Sequence, residues 1–95
     1  MRVRVESNWK PAPDNVWEGD IEPSAEWSDG RPDSITDAEM CEVLFRFFNV
    51  VDADDEARLL NIGYELPSLS VGDLLIFGDP PRKYRVEGVG FSEVL

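Results

Sequence analysis

The chain contains no histidine, a single cysteine (Cys41) and only two lysines among its 95 residues. The lack of histidine excludes the Ser-His-Asp triad and the Cys-His nucleophile pair, and it removes the usual zinc sites. One cysteine allows no internal disulfide. We therefore expect no metal and no cofactor, and we expect a protein that is not an enzyme.

Long apolar runs are also missing, since no stretch approaches the roughly 20 residues that cross a bilayer. The N-terminal "MRVRVESNW" is positively charged but has no apolar segment behind it, so it does not resemble a signal peptide. These absences predict no membrane contact and a cytoplasmic location.

Acidic residues dominate the charge, with 20 acids against nine bases and a net charge of −11. Residues 11–45 hold ten of the acids and only one base, Arg31. Such a field repels phosphate groups, which argues against direct binding of nucleic acid. It favours a basic protein partner, or competition with nucleic acid for one.

The length predicts one domain over residues 1–95, and the patterning predicts an α+β fold with a small, mostly antiparallel sheet. A short apolar run at 74–77 predicts a strand that is covered on both faces, and alternation predicts two more strands. Thr36 with Glu39 forms a capping-box pattern ahead of an apolar stripe. Acids that can cap a helix, with Leu59, Leu60 and Ile62 facing inward, predict a second, short helix. The predicted strands lie near 2–6, 74–77 and 83–88, the predicted helices at 36–48 and 53–61.

Residues 7–35 form an acidic segment rich in proline and tryptophan, which is a loop or an insertion in the predicted domain. Its density of prolines and glycines argues against a long helix or a central strand. One interpretation is a loop that its rings pin to the body, with one short strand at 15–18. The other is a recognition surface of rings among carboxylates. The candidate partner-binding residues are Trp17, Glu18, Asp20, Glu22, Glu26, Trp27 and Asp29.

The stretch "SLSVGD" at 68–73 raises the question of catalysis. A nucleophilic serine needs a base beside it, and the sequence offers no histidine and no G-x-S-x-G elbow. We therefore interpret Gly72-Asp73 as the turn that begins a strand, with Asp73 as a buried acceptor that holds the turn together. The acids at 52–56 do not form a calcium loop, because Ala57 and Gly63 occupy the positions that require glycine and glutamate.

Three segments together resemble the small YodL-like domain: "EVLFRFFN", "PSLSVGDLLIF" and "KYRVEGVGFSEV". The resemblance covers residues 40–95 and includes the aromatic-Asn pair Phe48-Asn49. YodL-like domains occur in uncharacterised proteins of phages, conjugative elements and bacteria, and some are suspected of blunting host defence. The resemblance implies no catalytic residues, because none is established for that family. It implies a mobile-element protein that acts on a host component.

A second likeness joins "SVGDLLIFGD" and "YRVEGVG" to the hairpin of PUA-like and ASCH barrels, many of which bind RNA or modified bases. Several functions therefore stay open. The first is a binding module that presents its acidic surface to a basic protein, as a nucleic-acid mimic or counter-defence factor. The others are a PUA- or ASCH-like domain for RNA or a small ligand, a small enzyme built on carboxylates, and a domain whose acidity serves salt adaptation.

Overall fold

The computed structural model of the chain describes residues 1–21, 36–49 and 52–95. Within these ranges, five strands form one antiparallel sheet in the order β2-β1-β3-β4-β5. The strands are β1 (Arg2–Glu6), β2 (Val16–Asp20), β3 (Leu74–Phe77), β4 (Arg82–Val86) and β5 (Phe91–Val94), and the helices are α1 (Asp37–Phe47) and α2 (Ala53–Asn61). The predicted α+β class is confirmed.

One face of the sheet carries the core. Val3 and Val5 alternate with charged residues along β1 and are fully buried, as their spacing predicts. The strand register places Leu75 and Phe77 on the same face, where both helices contribute to one apolar cluster. The helices supply Cys41, Leu44, Phe47 and Leu59, and the C-cap residue of α1, Phe48, joins them.

The opposite face of the sheet carries no helix among the described residues, and we call it the open face. Opposite partners in an antiparallel ladder share a face, so the strand register gives its membership directly. Leu74 and Ile76 are half-buried there, which corrects the prediction that β3 is covered on both faces. The charged members are four bases and three acids: Arg2, Arg4, Lys83, Arg85, Glu6, Glu18 and Asp20.

Each helix begins at a capping side chain, Thr36 as predicted for α1 and Asp52, one of two candidate acids, for α2. The Thr36 hydroxyl accepts a hydrogen bond from the Glu39 amide at 3.2 Å, and the Asp52 carboxylate accepts one from the Asp55 amide at 3.0 Å. Gly63 follows α2 with φ at +72°, the left-handed conformation in which many helices end.

Part of the segment at 7–35 is strand rather than loop. Residues 16–20 pair with β1 over its whole length, with Trp17 directly opposite Val5. A strand was expected only as a short piece at 15–18 because the flanking prolines obscured the pairing.

Further differences lie in the C-terminal part of the chain. β4 ends at Val86 instead of residue 88, because the amide of Glu87 bonds the carbonyl of Gly90 and closes a turn. β5 follows that turn and was not predicted as a strand. Leu60 is 67% exposed and does not pack inward as predicted. The sequence also suggests that Leu95 covers the sheet or the helix, but Leu95 is fully exposed.

Cys41 lies off the centre of the apolar stripe of α1 but is fully buried, so the buried arc of that helix is wider than the stripe. Neither helix in the described part of the chain has the length and apolarity that a membrane span requires.

Candidate functional site

An ion-pair cluster joins the start of α1 to the sheet. The Arg82 guanidinium donates through both Nε and Nη2 to the Asp37 carboxylate, with Nη2 at 2.8 Å from Oδ1. The Tyr84 hydroxyl donates to the same carboxylate at 2.7 Å. The Arg82 hydrogen bonds hold the pKa of Asp37 below its ordinary value, and the Asp37 carboxylate raises the pKa of Tyr84 to about 12. These groups satisfy one another, so the cluster serves as a fixed wall rather than a reactive centre.

Asp73 has the structural role that the sequence predicts. Its side chain is 1% exposed, and its two oxygens accept hydrogen bonds from the Asn8 amide at 2.7 Å and the Ser70 amide at 2.9 Å. The carboxylate therefore ties the end of β1 to the turn before β3. Gly72 in that turn has φ at +97°, a conformation that favours glycine.

Ser70 and Val71 of the same turn do more than build scaffold, because they line an open cleft. The Ser70 hydroxyl donates to the Ser68 carbonyl at 3.3 Å, within its own loop. We call the cleft the α1–β5 groove, and its first compartment has a volume of about 470 Å³. The residues that line this compartment are Glu42, Phe45, Ser70, Val71, Val86, Glu87, Gly88, Gly90 and Phe91.

A second compartment of about 390 Å³ continues the groove along α1. It shares Glu42, Gly90 and Phe91 with the first compartment and adds Ala38, Glu39 and Tyr84. The rings of Phe45 and Phe91 meet edge to face with centroids 6.1 Å apart, and both rings are half-buried. The floor of the groove is therefore aromatic and partly open to solvent.

Carboxylates surround this floor. Glu39 and Glu42 line the groove from α1. Glu87 borders the first compartment, and its carboxylate accepts a hydrogen bond from the hydroxyl of Ser92, which lies on the open face of the sheet. Glu93 shares the groove side of β5 with Phe91, and its charge contributes to the raised pKa of Tyr84. Within the described part of the chain, none of these four carboxylates forms an ion pair.

The groove runs beside an edge of the described sheet, since β5 is bonded only to β4. The amide and carbonyl of Val86 are directed towards Asp73 and Gly72, on the β3 side. Its partner Phe91 therefore belongs to a non-hydrogen-bonded pair and points its own amide and carbonyl away from the sheet. Glu93, two residues further, does the same.

The structure describes three of the seven predicted partner-binding residues, Trp17, Glu18 and Asp20. Trp17 is half-buried, and the centroid of its ring lies 5.5 Å from that of Phe48 and 5.8 Å from that of Tyr64. Its indole N–H donates a hydrogen bond to the Ile62 carbonyl at 3.2 Å. Its ring packs against the apolar cluster of the core. Four of the seven, Glu22, Glu26, Trp27 and Asp29, lie outside the described residues.

Glu18 and Asp20 form ion pairs on the open face. Arg2 donates to Glu18 at 2.9 Å and to Asp20 at 3.4 Å, and Arg4 donates to Glu18 at 3.3 Å. The hydrogen bond from Arg2 is the main cause that lowers the pKa of Glu18. These two carboxylates are thus largely balanced by charges of this chain.

The described part of the chain brings together no group of three or more metal-ligating side chains. Burial raises the pKa of the Cys41 thiol to about 12, with the charges of Asp37 and Glu42 as further causes. A thiol with such a pKa stays protonated and is a poor nucleophile.

Sequence reasoning missed the groove, although two signals for it were present. Glu39 was assigned only to helix capping, and Glu42 received no role. The residues "FSEV" at 91–94 alternate as in a strand, with Phe91 and Glu93 on one face. Because these four residues follow a glycine-rich turn, the strand was not predicted.

Comparison of the chain with family models, with curated proteins and with solved structures finds no match. The resemblance to the YodL-like domain therefore stays a prediction.

Proposed function

We propose that the protein is a non-enzymatic binding module for a basic protein partner. The observation that carries the proposal is the separation of charge between the two sides of the sheet. Four of the nine bases lie on the open face. Glu39, Glu42 and Glu93 lie on the other side of the sheet and form no ion pair among the described residues, although the charge of Glu93 interacts favourably with Arg82.

An acidic surface of this kind attracts a basic partner from a distance and loses affinity as salt is added. The half-buried rings of Phe45 and Phe91 offer apolar area within that surface, and partly desolvated rings are the usual anchors of a protein interface. We place the binding surface at the groove rather than at Glu18 and Asp20, because Arg2 and Arg4 already balance those two.

The finer versions of the proposal concern what the partner does. A partner that normally binds nucleic acid would make this protein a mimic, with carboxylates in the place of phosphates. A phage or other mobile element would gain from such a mimic as a counter-defence factor, in keeping with the YodL-like resemblance. Release of the captured partner by added double-stranded DNA would support this version, and capture that DNA leaves unchanged would count against it.

Direct binding of RNA, as the PUA-like resemblance implies, is the weaker alternative. Four basic side chains lie on the open face, but two of them, Arg2 and Arg4, already form ion pairs with carboxylates there. Its described residues include no aromatic side chain on which a base could stack.

The test is capture of proteins from a cell lysate by the immobilised chain at low and high salt. We expect a discrete set of basic proteins that elutes with salt and is lost with the double variant Glu39→Gln/Glu42→Gln. The matched control is Asp54→Asn/Glu56→Gln, which removes the same charge from α2 and should retain capture. Capture that is equal for both variants, or absent with the unchanged protein, would contradict the proposal.

Two further variants test where the binding surface lies. Glu18→Gln/Asp20→Asn should retain capture if the groove is the binding surface. Loss of capture with Glu22→Gln/Glu26→Gln/Asp29→Asn, but not with Glu39→Gln/Glu42→Gln, would instead place it in the N-terminal segment that the sequence suggested.

A further inference from the structure

We propose that the α1–β5 groove binds an extended segment of the partner, which adds to β5 as a sixth, antiparallel strand. This inference rests on the proposed function, since it specifies how a basic partner would be held. The segment would place apolar and basic side chains alternately along the groove.

The backbone of β5 supplies the first argument. Phe91 and Glu93 direct their amides and carbonyls outward, and their side chains stand on the groove side of the sheet. An added strand would exchange main-chain hydrogen bonds with these two residues. Its residues opposite them would point their own side chains into the groove.

The shape of the groove supplies the second argument. Phe45, Val71, Val86 and Phe91 line the first compartment, which suits an apolar side chain such as leucine. Glu39, Glu42 and Tyr84 line the second compartment. A lysine or arginine there would lay its aliphatic stem along Phe91 and bring its charged head to the carboxylates.

Charge favours a basic segment over two other possible occupants of the groove, a second copy of the chain and residues 22–35. A second copy of the chain, paired through β5, would bring the carboxylates at 39, 42 and 93 of both copies together, with a net charge of −11 on each. Residues 22–35 of the chain itself carry four acids against Arg31. Both would be repelled by the groove, whereas a basic segment is attracted.

The other edge of the described sheet is less suited to the same role. β2 contains Gly19, where an added Cβ would lie 2.7 Å from the Trp17 ring, so the ring covers the strand there. The cavity beside β2 has a volume of about 420 Å³ and a mainly polar lining that includes Lys10.

The probe is a heptapeptide with blocked ends, Ser-Arg-Ser-Leu-Ser-Arg-Ser, titrated into the full chain and followed by NMR. The control peptide replaces both arginines by glutamate. We expect the basic peptide to shift the signals of Phe45, Val71 and Phe91, to bind at least ten times more tightly than the control, and to weaken with salt. Binding that is equal for both peptides, or a chain that forms dimers through β5, would overturn the proposal.

A matched pair of variants tests the backbone pairing. Glu93→Pro removes the outward amide together with the carboxylate, while Glu93→Gln removes the charge alone. Proline is tolerated where the amide of an edge strand faces solvent, so both variants should keep the fold. We expect Glu93→Pro to bind the peptide about five- to tenfold more weakly than Glu93→Gln, the effect of one hydrogen bond.

The same step can be tested on the peptide, which avoids any effect on folding. Methylation of the leucine nitrogen removes a donor that an antiparallel strand directs at β5, while methylation of a serine nitrogen removes one that points away. We expect the first to weaken binding and the second to leave it unchanged, and equal effects would refute strand addition.

The two proposals fail in different ways. If a salt-sensitive basic peptide binds but Glu93→Pro equals Glu93→Gln and both methylated peptides bind alike, the strand arrangement is wrong and the acidic binding module stands. If neither peptide binds and no basic protein is captured, the proposed function itself is wrong.

Discussion

Arg82 donates two hydrogen bonds to the carboxylate of Asp37, a residue 45 positions earlier in the chain. The pair fastens the first turn of α1 to β4 and so fixes the wall of the groove between them. Charge-assisted pairs in which arginine uses two nitrogens are the stronger class of such contacts.

Replacement of Asp37 by asparagine should therefore destabilise the fold. Asp37→Asn removes the charge that Arg82 and Tyr84 both contact, and we expect a loss of about 1–2 kcal/mol, reduced from the buried-pair range because the site is partly exposed. Urea denaturation measures the loss. Glu65→Gln, which removes an exposed carboxylate, should change stability by less than about 0.5 kcal/mol.

The stabilisation that the Asp37 carboxylate provides should depend on pH. Since the pKa of Asp37 is lower in the folded state, its contribution is present above the unfolded pKa of about 3.9 and is lost as pH falls through the folded value. The stability difference between the unchanged protein and Asp37→Asn should therefore narrow as pH is lowered from 7 towards 2.5. A difference that stays constant over that range would show that charge plays no part.

Asp73 should matter for stability alone. Asp73→Asn retains one acceptor oxygen for the amides of Asn8 and Ser70 and leaves the other amide unsatisfied in a buried place, at a cost of about 1–3 kcal/mol. Thermal denaturation tests this, with the exposed Asp79→Asn as the control. Equal midpoints for the two variants would remove the structural role from Asp73.

Gly63 tests the end of α2. An added Cβ meets no atom within 4 Å, so the cost of Gly63→Ala comes only from its φ of +72° and should be about 1 kcal/mol. Gly88→Ala is the matched control, because an added Cβ there also meets nothing and the backbone is not left-handed. A Gly63→Ala protein as stable as Gly88→Ala would contradict the assignment.

Much of the fold follows from local patterns. The strand at 2–6, the helix at 53–61 and the caps at Thr36 and Asp52 are local, because alternation and capping act over a few residues. The buried role of Asp73 was predicted for a similar reason, since its partner Ser70 lies in the same turn.

The site depends on contacts between distant residues and could not be predicted in this way. Glu39 and Glu42 look like any exposed helix acids until β5 is placed beside α1. Neither the pairing of β5 with β4 nor the pairing of Trp17 with Val5 is visible in the sequence, because flanking glycines and prolines suggested loops. The ion pairs of Glu18 across β1 likewise depend on a strand that was expected only in part.

Hydrogen exchange at the amides of β5 tests the central claim most directly. In the free protein the amides of Ser92 and Val94 are bonded to β4, while those of Phe91 and Glu93 face solvent and should exchange rapidly. With the basic heptapeptide at 100 times its dissociation constant, we predict that exchange at Phe91 and Glu93 slows by about a hundredfold. Rapid exchange at Phe91 and Glu93 in the saturated complex would contradict the account.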